Sequence, residues 1–304
     1  MSTYPIAGKT VFITGAARGI GAETARRLAS KGARVSLVGL EPEQLEKVAA
    51  QCGPDAIWFE TDVTDWDALE RAAAGTVERF GGIDVVIANA GIASGGLVRF
   101  TDPAAWERVI EVNLLGGWRT IRTCLPHVIE TKGYILPIAS LAAAAHAPVM
   151  SAYSASKAGI EAFADSLRAE VGHHGVAVGV AYFSWMATDM VAGGDATVAA
   201  GLLRSRMRGP LAKTYPVSKA IDAIEKGIET RATRVVAPGW ARLLLATRYF
   251  LPPALQREMN KAMPDVERVI EADVAERGAA ASAPVGAGGE ADTRKRGAEV
   301  RIAD

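Results

Sequence analysis

The chain has 304 residues, 49% of them hydrophobic, and its 34 basic residues balance 34 acidic ones. This size and apolar content suit one large α/β domain with a substantial core, and the zero net charge argues against nucleic acid as a partner. The two cysteines, Cys52 and Cys124, have no metal-ligand spacing, so we expect neither a disulfide nor a metal site. No basic-then-apolar signal pattern precedes Thr10, and we expect a soluble, cytoplasmic protein.

Short β-branched segments alternate with longer amphipathic segments along the chain. The predicted strands are Thr10–Thr14, Arg34–Val38, Ala56–Glu60, Asp84–Ala88, Gly133–Ala139, Val176–Tyr182 and Thr233–Ala237. The predicted helices are Ile20–Lys31, Pro42–Gln51, Trp66–Phe80, Pro103–Pro126, Ala152–His173 and Val217–Thr230. This alternation predicts right-handed βαβ units and therefore a doubly wound, Rossmann-like α/β domain with a seven-stranded, mainly parallel sheet.

The composition changes after the last predicted strand. We expect residues 1–239 to form the Rossmann-type domain and residues 240–277 to form a helical extension broken at Pro252-Pro253 and Pro264. Residues 278–304 are rich in Ala, Gly and charge without apolar periodicity, which predicts a disordered tail.

A glycine-rich turn, Thr14-Gly-Ala-Ala-Arg-Gly-Ile-Gly21, joins the first predicted strand to the first helix. Such a turn brings backbone N–H groups and a helix N-terminus against a pyrophosphate, which side chains at Gly15, Gly19 or Gly21 would obstruct. A purely structural turn explains the glycines alone about equally well.

Tyr153 and Lys157 lie four residues apart on a predicted helix, thirteen residues after Ser140. Residues at this spacing share a helix face, so the phenol and the ammonium can converge. A fixed cation nearby lowers the pKa of a tyrosine, which would make Tyr153 a proton donor and acceptor. An exposed helical pair is the alternative for this spacing taken by itself.

Taken together and in this order, the glycine turn, Asn89-Ala-Gly91, Asn113, Ser140 and Tyr153-x-x-x-Lys157 resemble the short-chain dehydrogenase/reductase family over about residues 8–190. The resemblance implies an oxidoreductase that transfers hydride between NAD(P)(H) and a secondary alcohol or ketone. It implies that Tyr153 is the acid–base group and that Ser140 donates a hydrogen bond to the substrate oxygen. Lys157 would hold the ribose hydroxyls of the cofactor, and Asn113 would support a water-linked proton path. It also implies a homodimer or homotetramer.

The same resemblance assigns further cofactor contacts. Asp62 and Val63 would border the adenine, Asn89, Ala90 and Gly91 would shape the cleft, and Thr188 would meet the nicotinamide carboxamide. Ile20 and Arg18 belong to the cofactor-binding turn. Simpler alternatives remain, namely a turn cap for Asp62 and backbone hydrogen bonding for Asn89 and Asn113.

The end of the second predicted strand bears on cofactor choice. An acid there commonly accepts from the ribose 2′-OH of NAD, but this chain has Gly39, followed by Leu40 and Glu41. Arg18 could reach a 2′-phosphate, so the sequence favours NADP(H), with NAD(H) as the alternative because Glu41 could replace the missing acid.

The segment from Met186 to Pro216 is the predicted specificity loop. Its apolar residues predict a small-molecule substrate that is largely apolar. Arg204, Arg206 and Arg208 would allow this substrate to carry an anionic group. The resemblance departs at Phe183-Ser184, where the family usually has Pro-Gly.

Two other interpretations stay open. A catalytically silent, nucleotide-binding redox sensor would keep the glycine turn but lose Ser140, Tyr153 or Lys157, all of which are present. Separately, Trp240 to Leu251 mixes apolar and basic residues, which is consistent with a membrane-surface helix, a subunit contact or a lid.

Overall fold

The computed structural model describes residues 3–248 and 251–303. Its strands are β1 (Thr10–Thr14), β2 (Arg34–Gly39), β3 (Ala56–Glu60), β4 (Val85–Ala88), β5 (Tyr134–Pro137), β6 (Ala177–Val178), β7 (Val180–Phe183) and β8 (Arg234–Ala237). Its helices are α1 (Gly19–Ser30), α2 (Pro42–Cys52), α3 (Trp66–Phe80), α4 (Pro103–Ile110), α5 (Gly117–Thr131), α6 (Ser151–Val171), α7 (Asp189–Asp195), α8 (Val198–Ser205), α9 (Ser218–Thr230), α10 (Ala241–Ala246), α11 (Leu251–Arg277) and α12 (Gly286–Ala303).

The sheet is parallel, with strand order β3-β2-β1-β4-β5-β6, and a separate parallel pair joins β7 to β8. Helices α1, α2 and α9 cover one face, where Leu28, Leu45 and Ile224 are fully buried. Helices α3, α5 and α6 cover the other face through residues such as Ile121 and Ala164. The doubly wound α/β fold that the sequence predicts is therefore confirmed.

All seven predicted strands are present, but the sixth is divided at Gly179 into β6 and β7. A Cβ at Gly179 would overlap the Tyr134 hydroxyl and the Ala232 carbonyl oxygen, so the backbone is held tightly there. As a result the strand pairs first with β5 and then with β8. A bridge between Ile138 and Ala181 links the two sheets, which gives six strands plus two instead of one sheet of seven.

The order of strands reverses between β1 and β4, and the carboxyl ends of the strands meet at one edge. In open α/β sheets this reversal opens a crevice in which ligands bind. The glycine turn follows β1, Asn89 follows β4, and Ser140 follows β5 closely. The topology therefore brings the predicted site residues to one place.

The region after β8 differs from the sequence expectation. Pro252 and Pro253 lie in the first turn of α11, where a missing N–H costs nothing, and Pro264 lies inside the same helix. Ala262, Val266 and Ile270 of α11 are buried against Leu203 and Val149. The apolar residues of the specificity loop thus have a packing partner within the chain.

A second difference concerns the expected disordered tail. Residues 278–282 form a 3-10 turn, and α12 occupies Gly286–Ala303. Composition gave no reason to expect a helix, because its burial depends on charged and glycine contacts with distant residues, described below. The division into a domain of residues 1–239, an extension and a tail stays a prediction. Among the described residues, no helix combines the length and apolar character of a membrane span.

Candidate active site

Ser140, Tyr153 and Lys157 come together at the carboxyl edge of the sheet. Ser140 begins a 3-10 turn after β5, and its Oγ accepts from Ala142 N at 3.1 Å. Tyr153 and Lys157 lie on the first two turns of α6, with Lys157 Nζ 5.6 Å from the centre of the Tyr153 ring. Ser140, Tyr153 and Lys157 line one cleft. The predicted convergence of these groups is therefore present.

The ionisation of this pair differs from the expectation. Burial raises the pKa of Tyr153, and the nearby Ser140 hydroxyl offsets this only in part. Burial also lowers the pKa of Lys157 to about 8, while its Nζ donates to Ile138 O at 2.8 Å. Both shifts have the same physical cause, since a low-dielectric environment disfavours each charged form.

Asn113 lies in a π-helical segment, Glu111–Gly116, that joins α4 to α5. Its Oδ1 accepts from Ile92 N at 2.8 Å, and its Nδ2 donates to Ile92 O at 2.9 Å and Ser156 Oγ at 3.1 Å. A Cβ at Gly91 would lie 3.1 Å from Asn113 Oδ1 and 3.4 Å from Lys157 Nζ. Asn113 thus fixes the loop after β4 against α6.

Asn89 has a similar bracing role on the glycine turn. Its Nδ2 donates to Thr14 O at 3.0 Å and to Gly15 O at 3.1 Å. Thr14 Oγ1 in turn accepts from the backbone N–H groups of Asn89 and Ala90. These contacts correspond to the simpler alternative for Asn89, in which the side chain satisfies backbone groups.

The turn itself fits a pyrophosphate. Helix α1 begins at Gly19, and the Arg18 side chain does not cap it, which leaves its first-turn N–H groups available to an anion. Gly19 has φ 55°, and a Cβ there would lie 3.5 Å from Thr188 Cγ2 across the cleft. Any larger side chain at Gly19 would narrow this gap, so the residues present are compatible with NAD(P)(H).

Gly21 is required for a different reason. A Cβ at Gly21 would overlap Gly15 O and lie 2.7 Å from Asn89 Nδ2. Gly15 has φ 65°, and a Cβ there would lie 2.8 Å from Ala90 Cα. These two glycines therefore permit the turn to pack on the loop after β4, independently of any ligand.

Arg18 and Glu41 face each other at the end of β2. Arg18 Nε donates to Glu41 Oε2 at 2.8 Å, a second nitrogen pairs with Glu41 Oε1, and Nη1 contacts Asp189 Oδ2 at 3.0 Å. The hydrogen bonds to Glu41 contribute most to raising the pKa of Arg18. One cation is thus shared between two carboxylates.

Asp62 and Val63, which the resemblance assigns to the adenine, line the same cleft as Arg18 and Glu41. The part of the cleft that these four residues border is named here the adenosine end. Asp62 Oδ1 accepts from Thr64 N and Thr64 Oγ1, both at 2.8 Å, which is the turn cap weighed above. Asp62 Oδ2 accepts from Arg108 at 2.8 Å, and Arg108 also binds Asp292 of α12 at 2.6 Å. Burial alone would raise the pKa of Asp62, but the bonds from Thr64 and the charge of Arg108 hold it below its ordinary value.

A single cleft collects these groups. All the predicted site residues except Gly21 and Asn113 line it: Gly15, Arg18, Gly19, Ile20, Gly39, Asp62, Val63, Asn89, Ala90, Gly91, Ser140, Tyr153, Lys157 and Thr188. Gly21 and Asn113 stand directly behind the lining. Within the described part of the chain, no group of three His, Cys, Asp or Glu side chains is arranged to hold a metal ion.

Sequence reasoning did not find Asp189, Arg108, Val285 or the α12 residues Gly288 and Asp292, which also border this cleft or hold it together. None of them belongs to a short motif, and Arg108 and Asp292 are 184 positions apart. Only the folded chain brings them together.

One backbone outlier lies between Ser140 and Tyr153. Val149 has φ 70°, a left-handed conformation that a β-branched side chain rarely adopts. Its carbonyl accepts from Gly96 N at 2.9 Å, and its side chain packs in the cluster that contains Leu203 and Val266. These contacts hold the strained residue in place beside the cleft.

Comparison with known proteins agrees with this geometry. The family model described as short chain dehydrogenase matches residues 9–198. A cis-4-hydroxycyclohexanecarboxylate dehydrogenase of Sinomonas cyclohexanicum is 37% identical over 224 residues, which cover 71% of this chain and 88% of that protein.

Two further similarities are narrower. A fatty acyl-CoA reductase of Acinetobacter baylyi is 37% identical over 196 residues, 62% of this chain, and the match spans only 65% of the reductase. The crystal structure of a short-chain type dehydrogenase/reductase from Mycobacterium marinum superposes with a TM-score of 0.68 at 22% identity. That match covers 76% of this chain and 94% of the other, and it concerns the fold alone.

Proposed function

The chain belongs to the short-chain dehydrogenase family, whose members are oxidoreductases that bind NAD(P)(H). For this chain we propose a specific reaction. The protein transfers a hydride between NAD(P)(H) and a neutral, largely apolar secondary alcohol or ketone. The observation that carries the proposal is that Ser140, Tyr153 and buried Lys157 line the same cleft as the glycine turn.

Each residue has one task in this proposal. Ser140 donates a hydrogen bond to the substrate oxygen, and Tyr153 exchanges a proton with that oxygen. Lys157 holds ribose hydroxyls, and its charge favours the phenolate of Tyr153. Asn113 keeps the loop after β4 in register with α6 and supports a water-linked proton path. Bound nicotinamide would supply or accept the hydride.

The charges around the cleft support a neutral substrate. Apart from Lys157, the charged lining residues are Arg18, Glu41, Asp62, Asp189 and Asp292. These residues are engaged in the ion pairs of the adenosine end. The rest of the lining includes apolar side chains, among them Phe183, Met186 and Met190.

Two of the three arginines that suggested an anionic group on the substrate, Arg204 and Arg206, have other contacts. Arg204 pairs with Asp195, binds Thr214 Oγ1 and lies over the Trp185 ring at 4.7 Å. Arg206 pairs with Asp265 of α11 at 2.7 Å. Both guanidinium groups therefore stabilise the packing of the specificity loop, which supports a substrate without a carboxylate near the reacting carbon.

The contacts of Arg18 support NAD(H) as the preferred cofactor, whereas the sequence alone favours NADP(H). A 2′-phosphate would approach Arg18 between Glu41 and Asp189, where two carboxylates outnumber the one cation. Like-charge repulsion would oppose the phosphate, while a neutral ribose 2′-OH can donate to Glu41.

The test is an absorbance assay of reduced nicotinamide with both dinucleotides and a series of 2-alkanones of increasing length. Each ketone is paired with an analogue of equal length that carries a terminal carboxylate. We expect kcat/KM to rise about fourfold per methylene until the pocket is filled, because each buried CH₂ contributes about 0.8 kcal/mol. We also expect lower turnover for the carboxylates and tighter binding of NADH than of NADPH.

Saturable dinucleotide binding without turnover of any ketone or alcohol would instead support the redox-sensing scaffold. Faster turnover of the carboxylates would contradict a neutral substrate, and tighter binding of NADPH would contradict the role given to Glu41.

A further inference from the structure

The segment of residues 283–303, here named the strap, crosses the cleft at its adenosine end. Val285, Gly288, Gly289, Ala291 and Asp292 border the same cleft as the glycine turn. A Cβ at Gly288 would lie 3.8 Å from Arg18 Cδ. Ala291 and Asp292 are buried, at 8% and 1% exposure, so this part of α12 is covered by the protein it lies on.

Two polar contacts secure the approach to the strap. Val285 N donates to Ala93 O at 2.8 Å, in the loop that follows Asn89-Ala-Gly91. Just before the strap, Ser282 Oγ accepts from Asp102 N at 3.1 Å at the start of α4. The strap is therefore tied to the loop that shapes the cofactor cleft.

The strongest contact is made by Arg108. Its Nε and Nη2 both donate to the Asp292 carboxylate, and Nη2 also donates to Asp62. Its Nη1 contacts Thr64 Oγ1 at 3.1 Å. One partly buried guanidinium thus joins the wall assigned to the adenine to the helix that covers it.

The strap also closes against α7. A Cβ at Gly193 would lie 2.5 Å from Gly286 N, and one at Gly286 would lie 2.6 Å from Asp189 O. Gly286 has φ 76°, which L side chains rarely adopt. The two backbones therefore approach closely, and Asp189 of this contact also binds Arg18.

The helix of the strap has little stability of its own. Gly288, Gly289 and Gly297 each disfavour a helix by about 1 kcal/mol relative to alanine. Its sequence has no apolar stripe, which is why composition predicts disorder. A helix of this kind persists only while its tertiary contacts do, and the central one is the Arg108–Asp292 pair.

We propose that the strap is a gate over the adenosine end of the cleft, and that the dinucleotide exchanges only when the Arg108–Asp292 pair opens. Release of one ion pair frees a segment that is close to disorder, so the gate opens without disturbing the sheet. The inference rests on dinucleotide binding in this cleft, as in the proposed function.

The test measures binding kinetics of NADH by stopped-flow fluorescence, without substrate. If opening precedes binding, the observed rate for the intact chain reaches a plateau as NADH increases. Asp292→Asn keeps the shape but removes the charge, and it should raise the plateau on the order of tenfold. Deletion of residues 284–304 should remove the plateau and give a linear dependence.

Glu290→Gln is the matched control, because Glu290 lies on the same helix, its side chain is 67% exposed, and its ion pair is with Arg294 of that helix. It should leave the plateau unchanged. Deuterium uptake by residues 284–297 should increase in Asp292→Asn and not in Glu290→Gln, which provides a readout independent of cofactor. This comparison also stands if the deletion variant fails to fold.

Equal association rates in the intact chain and Asp292→Asn, or slower association after the deletion, would overturn the gate. Absence of any binding signal in every variant, including the deletion, would overturn dinucleotide binding and with it the proposed function. The two failures are thus distinguishable.

Discussion

Lys157 is an ionisable side chain with only 4% exposure, and its surroundings disfavour its charge. The folded-state pKa is about 8, below the ordinary value of 10.5. A depressed lysine pKa costs stability while the pH is below the folded value, because folding then buries an ammonium. The cost is relieved as the pH rises from about 8 to 10.5, since the unfolded chain binds more protons in that window.

Lys157→Met should therefore show a stability difference that depends on pH. Relative to the variant, the wild-type protein should gain about 2–3 kcal/mol of unfolding free energy between pH 8 and 10.5, as expected for a shift of this size. Urea denaturation at the two pH values measures this. Lys47→Met, at an exposed position on α2, should show no comparable change. A constant difference for Lys157→Met would show that its ammonium is not desolvated.

At this scale the sequence located the reactive groups but not their environment. The spacing of Tyr153 and Lys157 places them on one helix face, and this relation is local, so it can be predicted. Their pKa directions depend on how much water the surrounding elements exclude. The engagement of Arg18 by Glu41 and Asp189 likewise depends on residues up to 171 positions away.

Among the elements, the glycine turn combines two functions that the sequence could not separate. The expectation assigned all three glycines to the approach of a pyrophosphate. In the structure a Cβ at Gly19 would make ordinary contact with Thr188, whereas Gly15 and Gly21 are packed tightly against the loop after β4 or against each other. The packing of the turn depends on where the Asn89 side chain lies in the folded chain. The order of the motifs along the sequence does not give that position.

Gly21→Ala should therefore destabilise the protein in the absence of any cofactor, by about 2–4 kcal/mol, because the new methyl group overlaps backbone and the Asn89 amide. Gly194→Ala is the control, since a Cβ at this position of α7 meets nothing within 4 Å. It should be neutral or stabilise α7 by up to about 1 kcal/mol. Denaturant unfolding of both variants is the measurement, and equal effects would refute the packing role of Gly21.

For the molecule as a whole, the alternation of strands and helices was sufficient to predict the doubly wound sheet. Local patterns did not predict that the sixth strand changes partner at Gly179, because this depends on the Tyr134 hydroxyl and Ala232. They also did not predict α12, whose contacts with Arg108 and α7 are long-range. Oligomeric state and location in the cell stay predictions.

The most direct measurement for the whole account is single-turnover hydride transfer by Tyr153→Phe with the best ketone of the series. The variant lacks only the proton-transferring hydroxyl, so its rate should fall by about 10²–10⁴-fold while NADH affinity stays within about twofold. Tyr182→Phe removes a hydroxyl that is bonded to Glu161 outside the cleft, and it should react at nearly the wild-type rate. A Tyr153→Phe rate close to that of the wild-type protein would contradict the proposed acid–base role.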